Sequence, residues 1–164
     1  MHPIADLQIE YAVVTRSLEA KVLPTCRELG VGITAYGVLS RGLISGHWDK
    51  TRTFGARDMR AHSPRFQQDV VEQNLALVEV LRAIAQDKGV TVAQLAIAWV
   101  LSRGDDIVPL VGARRRDRWA EAKGALDVVL SADDCARIEA AAPDGAIQGT
   151  RYPEMQMKLL DSER

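Results

Sequence analysis

The chain has 164 residues, 47% of them hydrophobic and 26% charged, which is the balance of one globular domain with a sizeable core. Its formal net charge of −1 at pH 7 argues against a protein dedicated to nucleic acid or to a membrane surface. No stretch approaches the roughly 18 apolar residues of a membrane span, and the first residues show no basic or apolar leader, so we expect a cytoplasmic protein.

The first elements in the chain are a strand and a helix. Residues 7–14 alternate between polar and apolar and then become wholly apolar, which predicts a strand. A helix over 18–29 follows, with Ser17 as its N-terminal cap and Gly30 as its end. We expect Pro24 to kink this helix, because proline cannot donate a backbone hydrogen bond.

A second strand and a long irregular segment come next. Residues 32–36 predict a short buried strand, which leads into a glycine-punctuated loop over 37–46. Between 47 and 67 the periodicity disappears and four arginines occur, at Arg52, Arg57, Arg60 and Arg65. We interpret 47–67 as a long mobile loop, since connections of this length are usually functional or disordered.

The second half of the chain is mainly helical, with one more strand. Ser63–Pro64 predicts a helix start. The apolar face of that helix comprises Val71, Leu75, Val78, Leu81 and Ala85. Thr91–Gln94 forms a capping box for the next helix, a strand is predicted over 107–111, and a helix follows it to about Leu126. After one further helix, residues 143–164 read as an irregular tail with one late helical turn.

This order of elements repeats strand and helix, which predicts an α/β protein with a parallel sheet. The pattern contains three strands, with helices flanking them. A parallel sheet of three strands leaves both of its edges unpaired, and unpaired edges are a liability for a protein on its own. The sequence therefore predicts part of a larger sheet.

The segment 107–118 carries the strongest functional pattern in the chain. An apolar, β-branched run ends at Gly112, and an arginine-rich helix start containing Arg114–Arg116 and Arg118 follows at once. Backbone N–H groups at a helix start attract anions, and arginine adds bidentate charge. Charge runs usually face only solvent, but the position at a strand–glycine–helix junction favours a phosphate-bearing ligand.

Four segments carry a resemblance to a known family through their order and spacing. They are Gln8–Tyr11, Ile33–Gly46, Gln94–Leu101 and Val108–Ala113. Over nearly the whole chain they resemble the aldo-keto reductases. The resemblance implies a partial (β/α)8 TIM barrel, placed at the carboxyl-terminal half from the sixth strand onward. It also implies an NADPH-dependent oxidoreductase that reduces an aldehyde or ketone to an alcohol.

The resemblance further implies which residues hold the nicotinamide and pyrophosphate parts of NADPH. Gln8 is similar to the glutamine that hydrogen-bonds the nicotinamide carboxamide, and Tyr36 to the aromatic residue that stacks on the nicotinamide ring. The loop Gly37–Gly42, with Leu39 and Arg41, resembles the segment beneath the pyrophosphate, where glycine permits a close backbone approach.

Residues near the last strand resemble the adenosine-binding part of the family site. Gly112, Arg114 and Arg118 fall at the positions that hold the 2′-phosphate and ribose, and Glu121 matches a residue that contacts adenine. Ala122 departs from the pattern, because the family usually has asparagine there. We therefore expect weaker recognition of the adenine base.

The family's catalytic set of Asp, Tyr, Lys and His comes from the first half of the barrel, and none of its motifs occurs in this sequence. Tyr11 does not match the proton-donating tyrosine, because it follows the glutamine of the sixth strand. We therefore predict no catalytic residue here and no turnover by this chain alone. The loop 47–67 and the tail after 143 should help to form the substrate pocket and to cover the cofactor.

Two other interpretations stay open. The chain is either a non-catalytic assembly module, which pairs its exposed strand edges with a second copy or a separate amino-terminal half, or a regulatory NADPH sensor. The histidines lack ligand spacing, and Cys26 and Cys135 are far apart, so we expect no metal and two reduced thiols. A nucleic-acid role lacks the basic stripe with interleaved aromatic residues that it requires.

Overall fold

The structure, a computed structural model, describes residues 2–48 and 51–160. Within those ranges three parallel strands form one open sheet in chain order: β1 (Asp6–Glu10), β2 (Gly32–Tyr36) and β3 (Ile107–Pro109). The register pairs Ile9 with Ala35 and Ile33 with Ile107. The predicted α/β class, with three parallel strands and flanking helices, is confirmed.

Helices connect and cover the strands. The α-helices in the described ranges are α1 (Val22–Leu29), α2 (Gln68–Asp87), α3 (Val92–Leu101), α4 (Arg116–Lys123), α5 (Ala132–Ala141) and α6 (Glu154–Met157). Short 3-10 helices add Ser17–Ala20, Ser40–Ser45, Met59–His62, Pro64–Phe66 and Gly124–Asp127. None of the helices described is long and apolar enough to cross a membrane.

The core lies between one face of the sheet and the helices. Side chains that alternate along the strands, such as Ile33 and Ile107, pack there against Leu81, Leu95 and Trp99. On the opposite face Val108 is 61% exposed, and the polar residues Asp6 and Gln8 there are also exposed. The sheet therefore has one packed face and one open face.

The first strand is shorter than the sequence predicted. It ends at Glu10, and residues 11–14 form a turn in which the backbones of Ala12 and Thr15 exchange two hydrogen bonds. Residues 11–14 are at most 5% exposed. They are apolar because the turn is buried in the core, and a buried turn and a buried strand have the same composition.

The predicted helix over 18–29 is two elements. A 3-10 turn covers Ser17–Ala20, and α1 begins afterwards at Val22. Pro24 lies within the first turn of α1, where backbone N–H groups have no partner inside the helix. The predicted kink at Pro24 is therefore wrong.

Other helix boundaries also differ from the prediction. Ser63–Pro64 begins the 3-10 turn Pro64–Phe66, whereas α2 begins only at Gln68. The capping box of α3 is confirmed, because Thr91 Oγ accepts a hydrogen bond from the Gln94 N–H and the Gln94 side chain accepts one from the Thr91 N–H.

The segment predicted as a long loop, 47–67, contains local structure in its described part. It includes two 3-10 turns, and the rings of Trp48, Phe54 and Phe66 pack together with centroids 5.0 to 6.1 Å apart. Asp49 and Lys50 lie outside the described residues. The aromatic cluster packs with Leu43 and with Leu75 of α2, and these contacts hold the segment against the rest of the protein.

Candidate functional site

A cavity of about 690 Å³ lies at the carboxyl edge of the sheet, between the end of β2 and helix α4. Ligand sites in proteins typically have volumes of roughly 300–1,000 Å³. The polar side chains lining it include Tyr36, Arg41, His47, Arg52, Arg60, Arg114, Arg115, Arg118 and Glu121. In sheets of parallel strands, ligands bind at this edge.

One wall of the cavity is the loop after β2. Tyr36 ends the strand, and Gly37 follows with a φ of +69°; a Cβ at residue 37 would lie 3.0 Å from Cγ of Glu10. Ser40 and Arg41 have positive φ values of 46° and 58° although neither is glycine. Such strained conformations are held by their surroundings and cluster at functional sites.

The other wall is formed by the connection after β3 and by α4. Strand β3 ends at Pro109, and α4 begins at Arg116. The prediction that the helix starts directly after Gly112 is therefore wrong. Arg115 has extended backbone angles, and the arginines at 114 and 115 precede the helix and are not part of it. The connection between β3 and α4 is therefore longer than predicted, and it lines the cavity beside Gly112.

A cluster of three side chains joins the two walls at the mouth of the cavity. Glu121 Oε2 lies 2.8 Å from His47 Nε2 and 3.1 Å from Arg118 Nη1. Arg118 also contacts the His47 ring directly. Burial acts to raise the pKa of Glu121, but hydrogen bonds from His47, Thr91 and Arg118 outweigh it and lower that pKa. Glu121 therefore holds an ionised carboxylate at the mouth.

Arginine dominates the charge of the cavity. Glu121 is the one carboxylate among the described lining residues, and it is already engaged by Arg118 and His47. Arg60 is oriented by Asp58, whose carboxylate accepts from Arg60 Nε at 2.8 Å and has its pKa lowered to about 2 by that hydrogen bonding. A positive, partly enclosed cavity of this kind fits a ligand with several phosphates.

The cavity brings together all the predicted cofactor residues except Gln8. These are Tyr36, Gly37, Leu39, Arg41, Gly112, Arg114, Arg118 and Glu121. Gln8 lies apart from them, on the open face of the sheet opposite Thr34 in β2. Gln8 is thus near the strand that ends in Tyr36, but it is not part of the cavity wall.

The sequence predicted that the segment 47–67 helps to form the substrate pocket and to cover the cofactor, but it singled out none of His47, Arg52 and Arg60, all of which line the cavity. The sequence feature that could have indicated these residues was the arginine content of the irregular segment 47–67. Arg52 and Arg60 also lie over the Trp48 ring, with their guanidinium carbons 4.6 and 5.0 Å from its centroid. Among the described residues, no group of three His, Cys, Asp or Glu side chains could hold a metal ion.

The parallel sheet and the arginine-lined cavity at its carboxyl edge define an α/β protein suited to a phosphate-bearing ligand. The chain belongs to the aldo/keto reductase family, whose sequence model matches residues 1–143. It is 39% identical over 152 residues to a probable aldo-keto reductase from Glycine max, covering 93% of this chain and 44% of that protein.

Solved structures of the family have the same fold over this region. A glycerol dehydrogenase from Gluconobacter oxydans matches with a TM-score of 0.79 and 28% identity, covering 85% of this chain and 42% of that one. An aldo-keto reductase from Klebsiella pneumoniae in complex with NADPH matches with a TM-score of 0.60 and 25% identity, covering 91% and 43%. The chain thus spans less than half the length of these relatives.

Proposed function

We propose that this chain forms the NADPH-binding part of an oxidoreductase that reduces an aldehyde or ketone to an alcohol. The observation that carries the proposal is the arginine-lined cavity, in which the residues suggested by the family pattern meet. The similar Klebsiella enzyme in complex with NADPH supports the choice of ligand. When bound, NADPH supplies the hydride that reduces the carbonyl carbon.

The two walls of the cavity suit different parts of the dinucleotide. Arg114 and Arg118 would bind the 2′-phosphate, because guanidinium groups bind phosphate oxygens in a bidentate manner. Glu121 would contact the adenine. On the other wall, the backbone of Gly37–Gly42 would support the pyrophosphate. Tyr36 would offer its ring to the nicotinamide.

Gln8 would bind the nicotinamide carboxamide from the open face of the sheet. Its amide can both donate and accept a hydrogen bond, as recognition of a carboxamide requires. Because Gln8 is separate from the cavity, this contact needs the nicotinamide to extend beyond Tyr36 across β1 and β2. The two strands are adjacent in the sheet.

We propose that the chain corresponds to the carboxyl-terminal half of the barrel and has no turnover by itself. A general acid acts best with a pKa near the working pH. Burial, and then the hydrogen bond to Glu19, raise the pKa of Tyr11, and burial followed by the Tyr152 hydroxyl raises that of Tyr36. Neither hydroxyl suits proton donation to a carbonyl.

Titration of the purified chain with NADPH and with NADH, followed by cofactor fluorescence, tests the proposed ligand. We expect NADPH to bind more tightly, and Arg118→Met to weaken NADPH binding roughly tenfold or more while leaving NADH binding nearly unchanged. Arg137→Met is the matched control, because Arg137 pairs with Asp87 on the outer surface. Equal affinity for the two dinucleotides would contradict a 2′-phosphate site.

A second assay tests the absence of turnover. NADPH oxidation is followed by absorbance with a panel of aldehydes and ketones, and no oxidation above background is expected. Oxidation that is abolished in a Tyr36→Phe variant would show that this chain carries its own proton donor. That result would overturn the proposal that this chain has no turnover by itself.

We also propose that further strands complete the sheet, supplied by the same polypeptide or by a second one. At the β3 edge, Val108 and Leu110 are 61% and 46% exposed, and Trp119 on α4 is 59% exposed. Burial of these side chains would stabilise a closed barrel. Light scattering coupled to size-exclusion chromatography measures self-association; a monomer with a cooperative thermal transition would argue against pairing between copies.

A further inference from the structure

Tyr152, in the tail after α5, contacts two residues of the candidate cofactor site. Its hydroxyl lies 3.2 Å from the hydroxyl of Tyr36, which ends β2. The guanidinium carbon of Arg41 lies 4.6 Å from the centroid of its ring, within the range of a cation–π contact. Tyr152 does not itself line the cavity. It supports two side chains that do.

The tail is held near Tyr36 by a buried amide. Asn74 on α2 is 1% exposed, and its side chain makes two hydrogen bonds with the backbone of Gln148, at 2.8 and 3.0 Å. The next residue, Gly149, accepts a hydrogen bond from Arg65 Nε at 3.4 Å. These contacts fix the tail just before Tyr152.

A buried ionic cluster fixes the tail from the other side. Glu10 is 6% exposed, and its carboxylate lies 3.6 Å from Arg65 and 3.7 Å from Arg151. Glu10 ends β1 and pairs in register with Tyr36. Because Arg151 directly precedes Tyr152, the cluster links the strand beside Tyr36 to the residue that contacts its hydroxyl.

We propose that Tyr152 is a positioning residue for the nicotinamide end of the cofactor site, held in place by the Glu10–Arg65–Arg151 cluster. Its hydroxyl limits displacement of the Tyr36 ring, and its own ring supports Arg41. This role rests on the proposed function, since it presumes that Tyr36 binds the nicotinamide. In this role the tail would contribute to cofactor binding, and not only to contact with a substrate.

The chain contains three tyrosines, so labelling with 3-fluorotyrosine gives three ¹⁹F NMR signals that single Tyr→Phe variants assign. In the unliganded protein, Tyr152→Phe should shift the Tyr36 signal and leave the Tyr11 signal in place. Tyr11→Phe is the matched control, because Tyr11 is buried against Trp99 on the packed side of the sheet. An unchanged Tyr36 signal in Tyr152→Phe would overturn the proposal.

Ligand binding then tests the function of the contact. Loss of one hydrogen bond should weaken NADPH binding about three- to tenfold in Tyr152→Phe. Adenosine 2′,5′-bisphosphate, which lacks the nicotinamide, should bind the variant as tightly as the wild type. Equal losses for both ligands, or no loss for either, would overturn the role of Tyr152.

Different results would contradict the proposed function and the proposed role of Tyr152. If the wild-type chain binds neither NADPH nor adenosine 2′,5′-bisphosphate, the proposed function fails and the role of Tyr152 fails with it. If the wild type binds both ligands and Tyr152→Phe shows no selective loss of NADPH, only the role of Tyr152 fails. Glu10→Gln provides a further variant, which should shift the Tyr36 signal by loosening the tail.

Discussion

His47 and Glu121 join the two walls of the cavity, with His47 Nε2 2.8 Å from Glu121 Oε2. His47 follows the loop after β2, and Glu121 lies on α4 after β3. The same carboxylate accepts a hydrogen bond from Arg118 at 3.1 Å. Glu121 is therefore placed to fix the orientation of the Arg118 and His47 side chains, in addition to any contact it makes with adenine.

Glu121→Ala should weaken binding of adenosine 2′,5′-bisphosphate by about tenfold, because Arg118 and His47 lose the acceptor that orients them. Isothermal titration calorimetry measures the change. Glu79→Ala is a matched control, since Glu79 and Arg82 form an ion pair of the same i,i+3 spacing on the exposed surface of α2. Equal losses in both variants would show that the effect does not arise at the site.

The sequence was sufficient to locate the wall formed by Gly112 and Arg118. A short apolar run, a glycine and a cationic helix are all local signals, and the parallel sheet places them at one edge. Arg52 and Arg60 could not be placed in the same way. Their position depends on the packing of Trp48 with Phe54 and Phe66, which is a tertiary contact without sequence periodicity.

The predicted end of β1 and the predicted start of α1 were wrong because they also depend on packing in the folded protein. Residues 11–14 are apolar because the core surrounds them on every side, and that composition cannot distinguish a buried turn from a strand. The sequence predicts a kink at Pro24 because it does not show how far Pro24 lies from the start of α1. The contact of the tail with β1 could not be predicted either, since Arg151 and Glu10 are far apart in the chain and meet only in the folded protein.

Leu81→Ala should lower the free energy of unfolding by about 2–5 kcal/mol, because it removes a buried side chain and leaves a cavity. Leu81 is 1% exposed, whereas the adjacent Val80 on the same helix is 50% exposed. Val80→Ala should therefore change stability by less than about 1 kcal/mol. Urea denaturation followed by circular dichroism compares the two, and similar losses would contradict the assigned face of α2.

Asp134→Asn should reduce stability at neutral pH and have little effect in acid. The hydrogen bonds from Lys88 and Ser131 lower the pKa of Asp134 well below its ordinary value of 3.8. A carboxyl whose pKa is depressed by folding stabilises the protein above its ordinary pKa, and that stabilisation disappears as the pH falls through the folded value.

Urea unfolding of wild type and Asp134→Asn at a series of pH values measures this dependence. The difference in free energy of unfolding should be largest near neutrality and should shrink steadily below about pH 4. Asp105→Asn, at an exposed carboxyl in the turn before β3, serves as the comparison. A difference between wild type and Asp134→Asn that stays constant down to acid pH would contradict the assigned interaction.

Gly149→Ala should detach the tail from the cofactor site. Gly149 has a φ of +81°, and a Cβ added there would lie 2.7 Å from the carbonyl carbon and oxygen of Pro64. Gly145 has a similar φ of +77° but no atom within 4 Å of its added Cβ. Both alanine variants therefore incur the backbone cost, about 1–2 kcal/mol, and only Gly149→Ala adds a clash with rigid backbone.

We expect Gly149→Ala to lower the free energy of unfolding by at least about 1 kcal/mol more than Gly145→Ala. It should also reproduce the shift of the Tyr36 ¹⁹F signal expected in Tyr152→Phe, because the tail that carries Tyr152 must move to relieve the clash. Chemical denaturation and ¹⁹F NMR of the same samples measure both effects. A Gly149→Ala protein with the stability of Gly145→Ala and an unshifted Tyr36 signal would show that the tail does not depend on this close approach.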